Sequence, residues 1–249
     1  MKESYNWKSL FAGLGVIVVG IILCLISVST KSPWNTVWLS IGCSLIASGL
    51  VILLHDFFVE RKKVSLLEGW KLKTITSTRA EINSDCEIEL EHTKHQVDIV
   101  AFGLSSFRSK QTEDRILRYL RKGVNFRILT MAPSSEFLVQ REKEENDKNI
   151  RNSIETLVIW ADKLNQKSSK GRIIIRGYAA MTLDFYWRSD NVLYVGPYWY
   201  GKGSQQTITY KYLKGGKGFK LYSEHFEELW NDLQLTEPLT KETEFRKRG

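Results

Sequence analysis

The chemistry open to this chain rests on four histidines, three cysteines and a dense set of aromatic and arginine side chains. His92, His95 and His225 have no second ligand at the spacing a transition-metal site requires, so no metal site is read from them. Cys24 and Cys43 fall in long apolar runs and Cys86 lies alone in the polar remainder. That leaves no disulfide framework and no thiolate site within one chain, and it suits a reducing compartment. The richest cluster is Tyr178, Phe185, Tyr186, Trp187, Arg188, Tyr198, Trp199 and Tyr200, with Arg176 and Lys202 interleaved. Aromatic faces beside cations can stack a base next to a phosphate contact. The same composition also serves a packed core or the centre of a protein interface, and both readings stand at this stage. No cofactor is called for.

Two apolar stretches precede all of these residues. Leu10–Ser29 and Val37–Leu54 contain no Asp, Glu, Lys, Arg or His, and each is long enough to cross a hydrocarbon layer of about 30 Å as a helix. The seven residues between them allow only a tight hairpin. The first run is too long for a secretory signal and a second follows at once, so a retained anchor is expected. Lys2 and Lys8 precede the first span, Lys31 lies in the loop, and Arg61, Lys62, Lys63, Lys71 and Lys73 follow the second. This bias predicts a multi-pass protein of the bacterial inner (cytoplasmic) membrane with both termini cytoplasmic. Gly13 and Gly20 in the first span, and Gly42, Ala47, Ser48 and Gly49 in the second, permit close helix packing. They serve either the hairpin's own two helices or, through a spare Gly42/Ala47/Ser48 face, association into a homodimer or higher oligomer. With no charged residue in either span, a selective ion pathway is not expected.

The whole chain carries a formal charge of +8, which fits nucleic acid, anionic lipid, or a domain that lives beside an anionic leaflet. Residues 1–58 are expected to form the hairpin, 59–96 linker helices with a break near Thr74–Thr78, 97–235 a soluble domain, and 236–249 a flexible tail. Within the domain, Val97–Leu104 reads as a buried strand, Glu113–Lys122 as an amphipathic helix stopped at Gly123, and Val124–Met131 as a second strand. That order is a βαβ unit. A long helix from Glu136 to Leu164 follows, then strands at 172–176, 183–187, 191–195 and 207–213, and a closing helix at Leu221–Leu233. The expected fold class is α/β, a mixed and mainly parallel sheet flanked by helices.

From Val97 to Trp230 the order and local wording resemble half of a phospholipase D-like domain. The points of likeness are Gly103-Leu104-Ser105 after the first strand, Lys122-Gly-Val-Asn-Phe-Arg-Ile-Leu129 before a proline, Asp190-Asn-Val-Leu-Tyr-Val-Gly196, and His225-Phe-Glu-Glu-Leu-Trp230. Active members of that family carry His-x-Lys-x-x-x-x-Asp before the Val-Gly strand end. The resemblance implies a histidine nucleophile, a lysine that neutralises phosphate, and two copies of the motif meeting in a dimer. Here Asp190 matches the aspartate, but Leu183 stands at the histidine position and Phe185 at the lysine position. Neither side chain can attack phosphorus or bind phosphate. His92-Thr-Lys94 with Asp98 imitates the motif one residue short and on the wrong element, and is expected to be a solvated face.

These readings lead to a non-enzymatic membrane effector. Its arrangement resembles the two-span effectors of bacterial anti-phage systems, including those paired with retrons. The resemblance implies an inactive domain that senses a ligand or partner and controls membrane disruption by the hairpin. Membrane lipid, a second copy of the chain, and a defence-system partner protein or nucleoprotein complex are the expected partners. Direct nucleic-acid binding is left open. The alternatives are a membrane-bound phosphodiesterase acting on lipid or nucleic acid, and a scaffold that recruits a nucleoprotein complex.

Overall fold

The computed structural model describes residues 7–29, 33–145, 149–181 and 184–240, with backbone alone at 7–10, 56–57, 59–67, 106 and 145. It divides into two units, Met1–Leu67 and Glu68–Gly249. In the first, α1 (Trp7–Ser29) and the start of α2 (Asn35–Trp70) contain two segments long and apolar enough to cross a membrane, Phe11–Ser29 and Asn35–His55. The second span continues as helix beyond its apolar part, as the sequence predicts. The loop lysine, Lys31, and the N-terminal Lys2 lie outside the described residues.

The two spans approach at their glycines. A Cβ added at Gly20 would stand 2.7 Å from the Gly42 carbonyl oxygen, and one at Gly49 would stand 2.9 Å from that of Gly13. Gly13, Gly20, Gly42 and Gly49 are therefore used inside the hairpin, where backbone approach supplies the contact that lipid tails cannot drive. Gly42 is not part of a spare face, while Ala47 and Ser48 are exposed. The same packing brings the Cys24 and Cys43 thiols together. Sequence spacing alone did not suggest that pair.

The second unit is an eight-stranded sheet. Its strands are β1 (Leu72–Thr76), β2 (Gln96–Val100), β3 (Asn125–Met131), β4 (Ile173–Tyr178), β5 (Phe185–Arg188), β6 (Val192–Gly196), β7 (Thr209–Leu213) and β8 (Thr236–Pro238). They lie in the order β1-β7-β6-β5-β2-β3-β4-β8. Only β2–β3 and β3–β4 are parallel, whereas the other five pairings are antiparallel. The expectation of a mainly parallel sheet is thus corrected. Parallel pairing needs a crossover, and among consecutive strands that lie side by side a helix intervenes only between β2 and β3 and between β3 and β4. From Phe185 to Leu213 the chain doubles back without an intervening helix, first by the short link 189–191 and then by the longer loop 197–208, and its strands pair antiparallel.

Helix α3 (Asn83–His92) precedes β2, with a 3₁₀ turn at Arg79–Ile82 before it. Helix α4 (Lys110–Lys122) is capped by Ser109, whose Oγ accepts from the Thr112 N–H at 3.4 Å, and it ends at Gly123, whose φ of 98° suits a residue without Cβ. Helices α5 (Glu136–Glu145) and α6 (Ile150–Gln166) follow β3, and α6 buries Ile150, Ile154, Leu157, Val158, Ala161 and Leu164 along one stripe. Helix α7 (Lys217–Asn231) closes the domain and buries Phe226 and Trp230. The long helix expected over Glu136–Leu164 is described as two, α5 and α6, and two further segments differ from expectation. Leu72 and Ile75, read as part of a linker helix, belong to β1, an edge strand paired with β7. Thr236–Pro238, read as tail, is the opposite edge strand, paired with β4, and residues 241–249 lie outside the described part.

Candidate functional site

Strand β5 positions the residues that matter, because alternate side chains of a strand point to opposite faces. Phe185 and Trp187 turn to one face, Tyr186 and Arg188 to the other. Leu183, at the histidine position of the motif, lies outside the described residues. Phe185, at the lysine position, is buried, and the Arg79 guanidinium lies 4.0 Å from its ring centroid. Asp190 accepts hydrogen bonds from the backbone N–H groups of Lys94, His95 and Gln96 at 2.7, 3.1 and 3.1 Å. Its role in the structure is to hold the start of β2.

The aromatic cluster does not form one site. Tyr178 is buried at the end of β4. Tyr186 stacks on Phe226 of α7 at 5.1 Å, while Trp187 packs edge-on against Tyr194 at 5.5 Å on the other face. Trp199 and Tyr200 are exposed, with Lys202 lying 5.4 Å from the Trp199 ring. Arg176 reaches Thr236 and the Trp230 ring. Strand alternation divides the residues that the sequence groups together, and Tyr178, Phe185, Tyr186 and Trp187 are packed in the core.

On the Phe185 and Trp187 face lies a cavity of about 440 Å³. Its floor is Arg79, Ile82, Leu90, Phe185 and Trp187, all buried, and its sides include Phe102, Phe107 and Tyr198. Polar Asn83, Ser105 and Gln205, all exposed, lie at its rim with Arg115. Arg79 is only 3% exposed. Its guanidinium also lies 4.7 Å from the Tyr198 ring, and its Nη2 donates to Thr207 Oγ1 at 3.2 Å. Arg141 lies 5.1 Å from the same tyrosine and 5.7 Å from Phe102. Arg115 bonds to Glu87 at 2.9 Å, and that hydrogen bond holds the guanidinium above its ordinary pKa. Trp187 Nε1 is a buried donor with no acceptor among the described residues. The neighbouring Cys86 thiol is pushed up by burial, so it is no nucleophile at neutral pH. No group of three or more His, Cys, Asp or Glu side chains at metal-binding distance exists among the described residues.

The opposite face holds a charge cluster. Asp98 in β2 is fully buried and accepts two bonds from Arg127, at 2.7 and 3.1 Å, and one from Arg188. Arg127 continues to Glu227 of α7 at 2.8 Å, and Arg188 reaches the same carboxylate at 3.3 Å. Burial works against the charge of Arg127, but its bonds to Glu227 and Asp98 outweigh burial and raise its pKa. Those bonds hold the Glu227 carboxyl below its usual range. Asp98 was expected with His92 and Lys94 on a solvated face. Only His92 and Lys94 are exposed. The lone charge within the apolar run Val97-Asp-Ile-Val100 was the signal of a buried partner. Arg79 and Arg115 gave no such signal, since each sits among many charges on segments read as helix.

No family model and no curated protein matches the chain. Among solved structures it is similar to TrmBL2, an archaeal chromatin protein described with a mode of DNA binding, at 14% identity over 80% of this chain and 69% of that one, with a TM-score of 0.40. It is also similar to Nuc, a phospholipase D family member from Salmonella typhimurium, at 11% identity over 68% of this chain and 99% of that one, with a TM-score of 0.43. A third likeness, to polyphosphate kinase from Porphyromonas gingivalis, has 10% identity, 60% and 21% coverage and a TM-score of 0.31. All three likenesses are too weak to assign the chain to a family.

Proposed function

We propose that this chain is a membrane effector without phosphoryl-transfer activity, in which a degenerate phospholipase D-like domain senses a ligand or partner and controls the hairpin. One observation carries the reading. Where the motif requires a phosphate-binding lysine the chain has Phe185, a buried ring covered by the Arg79 guanidinium. With Leu183 at the nucleophile position, neither general base nor nucleophile is available there. Asp190, the one matching residue, is engaged by three backbone donors. The working part is then the pair of uncharged spans, inserted with both termini cytoplasmic in a bacterial inner membrane. Anti-phage defence is the setting in which such a device fits, resting until an infection signal reaches the domain.

The test is induced expression of the full chain with a potential-sensitive dye. Depolarisation on activation is expected, and Leu183→His with Phe185→Lys leaves it unchanged. Turnover of a phosphodiester by the purified full-length protein, abolished by Asp190→Ala, would establish the enzyme reading instead.

A further inference from the structure

We propose that the end of the sheet at which the chain enters β1 is a docking surface for anionic phospholipid headgroups. Strand directions define that end. Strands β2, β3 and β4 are parallel and begin there. Strand β5 runs against β2, β6 against β5, β7 against β6 and β1 against β7, so β5 and β7 end there while β6 and β1 begin there. Six cations are brought to this end: Lys71 before β1, Lys94 before β2, Lys122 before β3, Lys170 and Arg172 before β4, and Lys214 after β7. All six are exposed, and none forms an ion pair among the described residues.

Hydrogen bonds join these loops into one surface. The Asn125 N–H donates to the His95 carbonyl at 2.9 Å, and the Asn125 Oδ1 accepts from the Arg172 N–H at 3.0 Å. Asp190 accepts from the N–H groups of Lys94 and His95. Beside it, the Lys214 N–H donates to the Asn191 carbonyl at 2.9 Å, and Lys71 Nζ donates to the Lys214 carbonyl at 3.3 Å. The sheet therefore holds the cations on one continuous face. Carboxylates offset them only in part. Asp190 is taken up by three backbone donors, while the exposed Glu68 and Glu91 stand one helical turn before Lys71 and Lys94. At the other end of the sheet, the loops 101–109, 132–135, 179–184 and 197–208 carry only Arg108, Asp184 and Lys202 as charged residues.

Two observations select a lipid surface over nucleic acid. The loops of the basic face, 93–95, 122–124, 167–172, 189–191 and 214–216, contain no Phe, Tyr or Trp on which a base could stack. Their cations are lysines apart from Arg172, point charges on flexible stems that suit a diffuse anionic plane better than the reading of base edges. The second observation is the tether. Residues 56–71 separate the apolar segment that ends at His55 from β1, and a chain of that length reaches at most about 55 Å even when fully extended. The inference rests on the placement of the two spans in a membrane. Given that placement, headgroups are always within reach, and the tether supplies the high effective concentration of an intramolecular contact. Each basic residue beside an anionic leaflet strengthens binding roughly fivefold, so six acting together hold the domain where one would not.

The test places the full-length chain in nanodiscs of phosphatidylcholine alone or with about 40% phosphatidylglycerol, each containing a nitroxide-headgroup lipid that quenches a fluorophore on contact. The fluorophore is attached through Ser169→Cys, in the basic loop before β4, or through Met181→Cys, at the other end of the sheet, with Cys24, Cys43 and Cys86 replaced by alanine. Quenching at position 169 is expected to be at least roughly threefold greater with the anionic lipid, and to fall to the neutral-lipid level at about 0.5 M salt. Lys94→Glu combined with Lys170→Glu and Arg172→Glu, all exposed positions, should act as salt does while the melting temperature stays parental. Equal quenching in both kinds of disc, or an equal response at position 181, overturns the proposal. So does a short DNA duplex that binds the chain and strips position 169 from the anionic discs, because the face would then serve nucleic acid. If the chain fails to co-elute with the discs, the membrane placement falls and this inference with it, whereas co-elution without docking removes the inference alone. Docking without any depolarisation of cells would leave the inference standing and remove the effector reading.

Discussion

Asp98 has no exposure and two arginine partners, so its removal strands two cations against a single remaining carboxylate. Losing one partner of a buried ion network costs about 3–5 kcal/mol. Asp98→Ala should lower the denaturant midpoint of domain unfolding by a corresponding amount, and an unchanged midpoint would show the cluster to be dispensable. Glu227 gives the pH signature. Its folded pKa lies below the ordinary value of 4.5, so its stabilisation is full above that value and is lost as pH falls through the folded pKa. The melting temperature of the parent should therefore fall below about pH 4.5 more steeply than that of Glu227→Gln, the half-exposed carboxylate making the difference modest. Asp98 was read with a solvated face; its place as a charge inside an apolar strand was the available signal of burial, although its arginine partners came from 29 and 90 residues away and local pattern cannot name such partners. Arg79 was not legible. What distinguishes it is the pair of rings that tertiary folding sets beneath it.

At the scale of elements, the two N-terminal helices were legible because length and apolarity alone mark a segment able to cross a membrane. Its internal packing follows from glycine positions that meet their counterparts face to face. Gly20→Leu would force the Gly42 carbonyl away from a contact of 2.7 Å and separate the spans. A cross-link reads this directly, since the Cys24 and Cys43 thiols adjoin. In a Cys86→Ala background, mild oxidation in membranes should yield the intrachain Cys24–Cys43 disulfide, and Gly20→Leu should suppress it severalfold. Equal yields would mean that the glycines do not hold the pair. The βαβ unit of β2, α4 and β3 was also readable from its period and its Gly123 stop. Strand β1 was not, because Lys71-Leu-Lys-Thr-Ile75 carries apolar residues at a spacing that a helix also permits. What makes it a strand is the free edge of β7, a partner more than a hundred residues away in sequence.

For the whole molecule, the consequential joint lies where α2 ends in the domain. Lys71 adopts a left-handed φ of 47°, and its carbonyl accepts from the Leu213 N–H at 3.1 Å. Trp70 packs toward Tyr212 with ring centroids 6.3 Å apart. Gly216, at the N-terminus of α7, completes the joint, because a Cβ there would lie 2.4 Å from the Trp70 carbonyl oxygen. A backbone oxygen cannot yield as a flexible side chain can, so Gly216→Ala should strain the joint by about 1–3 kcal/mol. Trp70 belongs to the same unbroken helix that begins at Asn35 and includes the second candidate span. The proposed control of the hairpin by the domain predicts that this turn matters to it. In cells expressing Gly216→Ala at parental levels, activation should depolarise the membrane at least severalfold less than in the parent. Full depolarisation by the variant would place the coupling elsewhere in the chain.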